Sequence, residues 1–240
     1  MHLRLSASKK GINMILKAEN ISKKYYRPTK NASHFEAVKP LDFILEEGKV
    51  TEITGRSGSG KSTLLYMLAG LLKPDSGKVL LDDQDLYSLT DDQLSRLRNQ
   101  KFGVIPQGQT GLFALTVLEN VLAPAAIYGD TKKYEERAKE LLSMVGIENL
   151  GDSKMSELSG GEMRRMAIAR ALILDPEIIF ADEPTDDLDD ENTKAVLALL
   201  QKIARSGKSV LLVTHESMAE QYADIIYRMG AGRLEKKISS

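Results

Sequence analysis

Short apolar runs alternate along the chain with longer segments in which apolar residues recur every three or four positions. The short runs are typical of buried strands, and the longer segments are typical of helices that pack one face on a core. This alternation predicts an α/β fold in which helices connect the strands. The predicted strands are Lys49–Thr54, Lys78–Leu81, Phe102–Ile105, Glu177–Ala181, Ser209–Thr214 and Ile225–Met229. The predicted helices are Lys61–Leu72, Asp91–Asn99, Val117–Tyr128, Tyr134–Val145, Gly160–Leu174, Glu191–Ala204 and Ser217–Tyr222.

The predicted domain organisation is one domain over residues 14–240, preceded by a flexible extension at 1–13. A strand-like run, Met14–Ile21, opens the domain. The middle of the chain, about 91–160, is mainly helical and is predicted to be a helical subdomain inserted into the α/β core. Pro74 is predicted to end the first helix, and Thr90–Gln93 is predicted to form a capping box.

The overall composition narrows the possible functions. Hydrophobic residues make up 42% and charged residues 28% of the 240 residues, which is ordinary for a protein with a substantial core. Because the chain has no cysteine, disulfides, thiolate catalysis and zinc–thiolate sites are excluded, and we expect a cytosolic protein. The formal net charge of -1 gives no general attraction to nucleic acid, and we expect no nucleic-acid partner. No apolar run approaches the roughly 20 residues of a membrane-spanning helix.

A glycine-rich segment, Gly-Arg-Ser-Gly-Ser-Gly-Lys-Ser, matches the phosphate-loop pattern of a glycine, four residues and Gly-Lys-Ser/Thr. It follows a predicted strand and opens a predicted helix, which distinguishes it from an ordinary glycine-rich turn. Backbone amides of such a loop converge on phosphate oxygens, and the helix N-terminus favours negative charge. The lysine adds a positive charge, and the last serine can bind Mg²⁺. The predicted nucleotide-binding residues are Gly55, Arg56, Ser57, Gly58, Ser59, Gly60, Lys61, Ser62 and Thr63.

A second apolar run ends in two carboxylates, Asp182 and Glu183. Ligands of open parallel sheets bind beyond the carboxyl ends of the strands, so both side chains are predicted to lie near the phosphate loop. Asp182 is predicted to bind Mg²⁺, through water, and Glu183 to accept a proton from the attacking water. Without the phosphate loop, the same residues would fit a strand that simply leaves the core into a polar turn.

The segment Leu158–Glu162, Leu-Ser-Gly-Gly-Glu, places small residues before a predicted helix and is a second possible phosphate-binding end. In the order and spacing of these motifs, over about Ile15–Leu234, the chain resembles the ATP-binding subunits of ABC transporters. The resemblance implies a P-loop NTPase core of the ABC ATPase type, with an inserted helical subdomain and an N-terminal antiparallel β region. It also implies a head-to-tail dimer that binds ATP and Mg²⁺. In that dimer, Ser159, Gly160 and Gly161 of one copy contact the nucleotide held by the other.

The resemblance assigns roles to four further residues. Tyr25 is similar to the aromatic residue that stacks on adenine, and Gln107 to the glutamine that touches Mg²⁺ and senses the membrane partner. Asp189 resembles the aspartate at the dimer interface, and His215 resembles the histidine that holds the γ-phosphate. The implied catalytic residues are therefore Glu183 and His215, and the implied metal ligands are Ser62, Gln107 and Asp182. The implied partners are a second copy of the chain and a separate transmembrane permease, which would hold the chain on the inner face of the cell membrane.

Three segments are similar to a subgroup of small exporter and mechanical-coupling ATPases, such as those for lipoprotein release, macrolide export and antimicrobial-peptide resistance: Arg98–Gly103, Thr116–Val121 and Ala181–Thr185. The chain departs from that subgroup at Asp186 and Asp187, where Gly-Asn is usual. It also departs at Met163 and Arg164, where Gln or Arg pairs are commoner. Gln107 is followed by Gly-Gln-Thr-Gly rather than by bulkier residues, which indicates a different partner surface.

Other classes within the same superfamily fit less well. DNA-repair and chromosome ATPases carry a long coiled coil between the phosphate loop and the Leu-Ser-Gly-Gly segment, and no sustained heptads occur here. Translation-factor relatives carry two cassettes in one chain, whereas this chain has one. A regulatory ATPase that controls a membrane partner, such as a cell-wall hydrolase system, without transport stays open as an alternative. The substrate and the direction of transport also stay open.

Overall fold

The structure is a computed structural model that describes residues 16–27, 33–108, 111–127, 129 and 131–237. The predicted extension at 1–13 and the first residues of the predicted strand Met14–Ile21 lie outside the described residues.

Ten strands and six α-helices, numbered along the chain, make up the described residues. The strands are β1 (Leu16–Arg27), β2 (Ser33–Leu45), β3 (Val50–Thr54), β4 (Ser76–Leu81), β5 (Gln84–Asp85), β6 (Phe102–Ile105), β7 (Ile178–Asp182), β8 (Ser209–Thr214), β9 (Ile225–Gly230) and β10 (Arg233–Lys236). The helices are α1 (Lys61–Leu68), α2 (Asp91–Lys101), α3 (Val117–Ala126), α4 (Glu135–Met144), α5 (Gly160–Leu172) and α6 (Asp190–Arg205).

Six strands form the central sheet in the order β10-β9-β3-β8-β7-β6. Every pair from β9 to β6 is parallel, and only the edge pair of β9 and β10 is antiparallel. All residues of β7 and β8 are buried, as expected for strands covered on both faces. Because β3, β8 and β7 are parallel neighbours, their carboxyl ends meet at one edge of the sheet.

A second sheet of four antiparallel strands, in the order β2-β1-β4-β5, covers one side of the central sheet. The core between them includes Leu16, Ile21 and Phe180 together with apolar residues of α1. The opposite side is covered by α3, α4, α5 and α6, whose apolar faces form a second core. The predicted α/β fold with an N-terminal antiparallel β region is therefore confirmed. The segment predicted to be a helical subdomain, about 91–160, contains α2, α3 and α4 with β6 among them.

Several predicted boundaries are wrong for local physical reasons. The first helix ends at Leu68, before Pro74, because Gly70 adopts a left-handed φ of 68° and the Ala69 and Gly70 amides close the last turn. The predicted helix Ser217–Tyr222 is confirmed with the same bounds and is a 3-10 helix. The strands β2, β5 and β10 were not predicted, because their many charged and polar residues hide the alternating pattern of a strand.

Candidate nucleotide-binding site

The carboxyl ends of three neighbouring strands bring some of the predicted site residues to one edge of the central sheet. The phosphate loop follows β3, the two carboxylates end and follow β7, and His215 follows β8. Residues that lie far apart in sequence therefore meet in one place, as predicted from the sequence.

The phosphate loop has the backbone that its glycines were predicted to allow. Gly60 has a φ of 108° at the residue before α1, and Gly55 has a φ of 158°. A Cβ atom on Gly60 would collide with the carbonyl oxygen of Ala37, and one on Gly55 with the carbonyl oxygen of Met229. Side chains are therefore excluded at both positions, and the first turn of α1, like any helix N-terminus, has backbone amides without intrahelical partners.

Lys61 is only 5% exposed and lies folded back on its own loop. Its Nζ donates hydrogen bonds to the carbonyl oxygens of Gly55 at 2.9 Å and Arg56 at 3.4 Å. The same atom forms an ion pair with Glu183 Oε1 at 3.3 Å. A buried ammonium group is costly unless it is paired, so the Glu183 carboxylate stabilises Lys61 in this position.

Asp182 is fully buried and bonded directly to the phosphate-loop helix. The Ser62 hydroxyl donates to Asp182 Oδ1 at 2.9 Å, while Oδ2 is buried without a hydrogen bond of good geometry. Burial raises the pKa of Asp182, and the nearby hydroxyls of Tyr66 and Ser62 act in the opposite direction. An unpaired buried carboxylate oxygen is costly, so this site suits a cation that would satisfy it.

Glu183 connects the lysine to the histidine. Its Oε2 lies 3.0 Å from Nδ1 of His215 and accepts a hydrogen bond from the His215 backbone amide at 3.2 Å. Its backbone has a φ of 44°, a left-handed conformation that is uncommon outside glycine. Such strain is typical of residues that a surrounding structure holds in place for function.

The residues present fit a Mg²⁺ ion bound together with phosphate. Ser62 and Asp182 supply hard oxygen ligands next to each other, as Mg²⁺ prefers. In the described part of the chain, no group of three or more His, Asp or Glu side chains could hold a metal ion alone. Gln107, the third predicted ligand, donates from Nε2 to Asp186 Oδ2 at 3.2 Å instead of bonding to Ser62 or Asp182.

Two open cavities flank the phosphate loop. One of about 630 Å³ is lined by residues of the loop itself and by His215 and Arg228. The other, of about 590 Å³, lies between the loop residue Gly58 and the β1–β2 pair.

Tyr25 lies on β1 beside the second cavity. It is opposite Phe35 of β2, the two rings stack at 5.8 Å, and Tyr25 is 36% exposed. Phe35 was not predicted from the sequence, because its cavity-lining position follows only from the pairing of β1 with β2.

The comparisons with known proteins decide the family. A model of the ABC transporter family matches residues 38–186. The chain belongs to the ABC transporter family. The lipoprotein-releasing system ATP-binding protein LolD of Aquifex aeolicus is 41% identical over 94% of this chain and 98% of its own length. The LolD protein of Buchnera aphidicola is 38% identical over 92% of this chain and 96% of its own length.

Solved structures of ABC cassettes have the same fold as this chain. The dimeric structure of the bacterial ABC transporter cassette MJ0796 has a TM-score of 0.84 and 34% identity, covering 94% of this chain and all of that one. Its post-hydrolysis state with ADP and Pi also has a TM-score of 0.84, with 35% identity over the same share of this chain. The chain is thus an ATP-binding ABC subunit and an ATPase. Within the described residues, none of its helices is both long and apolar enough to cross a bilayer.

The Leu-Ser-Gly-Gly-Glu segment of this ABC ATPase lies apart from its own phosphate loop. Ser159 is exposed and caps the N-terminus of α5, where its side chain accepts a hydrogen bond from the Glu162 amide at 3.3 Å. The Glu162 carboxylate in turn accepts from the Ser159 amide and hydroxyl, both at 2.7 Å. No hydrogen bond or ion pair among the described residues joins Ser159, Gly160 or Gly161 to the phosphate loop. The predicted phosphate-binding end is therefore not brought to the site within one chain.

Asp189 also lies outside the cluster of catalytic side chains. It caps the N-terminus of α6, and its Oδ1 accepts a hydrogen bond from the Asn192 amide at 2.8 Å. Hydrogen bonds from Asn192 lower the pKa of Asp189. Its local role in this chain is a helix cap, which leaves its predicted role at a dimer interface as a proposal.

Proposed function

We propose that two copies of this ABC ATPase bind two MgATP between them and use hydrolysis to drive a separate transmembrane permease. The observation that carries the proposal is the meeting of Lys61, Asp182, Glu183 and His215 at one strand edge. That edge also carries a phosphate loop. Phosphoryl transfer to water requires this combination of a phosphate loop with a lysine, carboxylates and a further polar side chain.

The ion pair of Lys61 and Glu183 suggests how binding prepares catalysis. When ATP binds, Lys61 exchanges the Glu183 carboxylate for oxygens of the β- and γ-phosphates. Glu183 is then free to take a proton from the attacking water, and His215 steadies the γ-phosphate. Ser62, Asp182 and Gln107 would hold Mg²⁺, which would supply positive charge on the phosphates.

The second copy supplies what one chain lacks. Ser159 and Gly160 are exposed at the N-terminus of α5, where amides and the helix dipole favour a phosphate group. We assign them to the nucleotide held by the partner, with Asp189 at the interface and Tyr25 against adenine. The dimeric structure of the cassette MJ0796 supports this arrangement.

The membrane partner would bind this chain at a surface groove that no phosphate-loop residue lines. Leu71 and Ile127 are large apolar residues that are 50% and 68% exposed, and both line a groove of about 420 Å³ with Pro124 and Arg98. Exposed apolar residues around a concave surface are typical of protein interfaces. The permease would hold the chain on the inner face of the membrane. The names of the LolD relatives favour the exporter and mechanical-coupling group.

The variant Glu183→Gln tests the proposal. It keeps the size of the side chain but removes the base, so we expect turnover to fall by about 10²- to 10⁴-fold while ATP binding and ATP-dependent dimerisation persist. Phosphate release and sedimentation measure the two properties. Glu177→Gln makes the same change beside the other end of β7, where Glu177 pairs with Lys101 at the surface, and should leave turnover unchanged. Full turnover of Glu183→Gln would remove Glu183 as the base.

A further inference from the structure

The side chain of Gln107 is hydrogen-bonded to Asp186, which belongs to a different loop. Its Nε2 donates to Asp186 Oδ2 at 3.2 Å, although the two residues lie far apart in sequence. The turn that contains Asp186 is tied to the catalytic strand end, because the Asp186 amide donates to the Glu183 carbonyl oxygen at 3.2 Å. The position of the Gln107 amide is therefore linked to the turn that carries Glu183.

Arg164 holds the backbone on both sides of Gln107. It lies in α5, is only 7% exposed, and donates from Nη1 to the carbonyl oxygens of Pro106 at 3.1 Å and Gly108 at 3.2 Å. Burial lowers the pKa of Arg164, and the negative charges of Asp186 and Asp187 oppose this. Both carboxylates act on Arg164 only through their charge, but of the two only Asp186 also accepts a hydrogen bond from Gln107 among the described residues.

The chemistry of the hydrogen bond fixes the orientation of the Gln107 amide. An ionised carboxylate only accepts hydrogen bonds, so the nitrogen end of the amide must face Asp186. The oxygen end is then left for another partner, and amide oxygens are ligands that Mg²⁺ accepts whereas amide nitrogens are not.

We propose that Asp186 and Arg164 are positioning residues of the nucleotide site, which hold Gln107 so that its amide oxygen is the end available to Mg²⁺. The inference rests on the proposed function, since it deepens the role of Gln107 there. It also explains why Arg164 and Asp186, two of the departures in the sequence, occur together around one loop.

The test is the gain in ATP affinity that Mg²⁺ provides, measured as the ratio of the ATP dissociation constants in EDTA and in Mg²⁺. All proteins carry Glu183→Gln, so that hydrolysis does not interfere. Asp186→Asn offers Gln107 a neutral group that can accept or donate, and we expect the gain to fall about fivefold with ATP affinity in EDTA unchanged. Arg164→Gln should lower the gain in the same direction.

Asp187→Asn is the matched control. It removes the same charge one residue further along, where no hydrogen bond to Gln107 exists among the described residues, and asparagine tolerates the left-handed φ of 62° at this position. The Mg²⁺ gain should stay that of the parent protein. An equal loss in Asp187→Asn would mean that only the local charge matters, which overturns the proposal.

A double-mutant cycle separates this inference from the proposed function. Gln107→Ala should lower the Mg²⁺ gain, and adding Asp186→Asn to it should change nothing more, because Asp186 acts through Gln107. If Gln107→Ala lowers the gain and Asp186→Asn does not, the positioning role is overturned while the proposed function stands. If Gln107→Ala leaves the gain unchanged, Gln107 is not a ligand and both the inference and that assignment fall.

Discussion

The phosphate-loop site and the Leu-Ser-Gly-Gly-Glu segment are built in opposite ways. At the phosphate loop, Lys61, Asp182 and Glu183 are buried and connected to Ser62 and His215 by hydrogen bonds and ion pairs. At the Leu-Ser-Gly-Gly-Glu segment, the exposed Ser159 bonds, among the residues that the structure describes, only within the first turn of its own helix. One chain therefore holds a preformed half-site, and in the proposed dimer its outward-facing segment would complete the site of the other copy.

Three of the buried polar atoms that lack a hydrogen bond of good geometry belong to the phosphate loop or follow or end β7 beside it. Ser59 Oγ, Asp182 Oδ2 and Thr185 Oγ1 are buried without hydrogen bonds, and so are both carboxylate oxygens of Glu52 on β3. Such atoms destabilise a folded chain, and they are tolerated where function requires them. The phosphate-loop end therefore carries a cost in stability that ligand binding can offset.

The largest effect on turnover is expected when the phosphate loop is disabled in one chain and the Leu-Ser-Gly-Gly-Glu segment in another. Lys61→Ala disables the phosphate loop and Ser159→Arg disables the exposed segment, so each variant alone should lose at least about 10²-fold in turnover. Mixed dimers contain one intact composite site. An equal mixture should therefore recover about a quarter of the wild-type rate if subunits pair at random. Phosphate release from the separate and mixed proteins measures this.

In the control, the Ser159→Arg chain is replaced by a chain that carries both Lys61→Ala and Ser159→Arg. Its mixtures with Lys61→Ala contain no intact composite site and should stay inactive. If the first mixture also stays inactive although both variants fold and pair, the two halves do not complete each other's sites.

The second prediction concerns the stability that the protein loses by burying Glu52 on β3. Glu52 pairs with β8 and β9, is fully buried, and burial together with the negative charge of Glu220 raises its pKa to about 7, with Lys237 acting in the opposite direction. Because the folded state has the higher pKa, it binds the proton more tightly than the unfolded chain does, and the free energy of unfolding falls as the pH rises above about 4.5, the pKa in an unfolded chain. This loss of stability levels off above about pH 7.

Glu52→Gln should remove this loss. We expect the variant to match the wild type near pH 4 and to exceed it in the free energy of unfolding by about 3 kcal/mol at pH 8. Denaturant unfolding at several pH values measures the difference. The exposed Glu235→Gln on β10 serves as the control and should show no such pH-dependent gain. A difference between Glu52→Gln and wild type that does not grow with pH would contradict the raised pKa.

Some parts of the site and the fold could be predicted from the sequence, and others could not. Lys61, Asp182 and Glu183 follow from a local motif and from the rule that ligands bind at the carboxyl ends of parallel strands, and the fold brings them together. The partner of Gln107 could not be predicted, because its contact with Asp186 depends on how two distant loops meet. The strand β2 was missed because its charged and polar residues hide the strand pattern, so that only its pairing with β1 identifies it.

The cap at Ser159, in contrast, had a signal in the sequence. Ser159 and Glu162 have the Ser-x-x-Glu spacing of a capping box, and the structure contains that box. Interpreting the segment only as a phosphate-binding end overlooked that its first turn is already satisfied by a carboxylate.

The smallest predicted effect follows from that carboxylate. Glu162 accepts hydrogen bonds from Ser159 that lower its pKa, so it places a negative charge beside the amides that a partner's phosphate would approach. Glu162→Gln keeps an acceptor for the cap but removes the charge. We expect ATP-dependent dimerisation, measured by sedimentation in the Glu183→Gln background, to tighten about 30-fold. The dimer loses one negative charge at each of its two sites, and two charges about 4 Å apart in water interact by about 1 kcal/mol. Glu119→Gln removes the charge of the equivalent cap on α3, whose Glu119 accepts from the Thr116 amide at 2.7 Å, and should leave dimerisation unchanged. Equal tightening by both variants would assign the effect to net charge, and weaker dimerisation of Glu162→Gln would mean that the cap, rather than an open helix end, is the surface the partner needs.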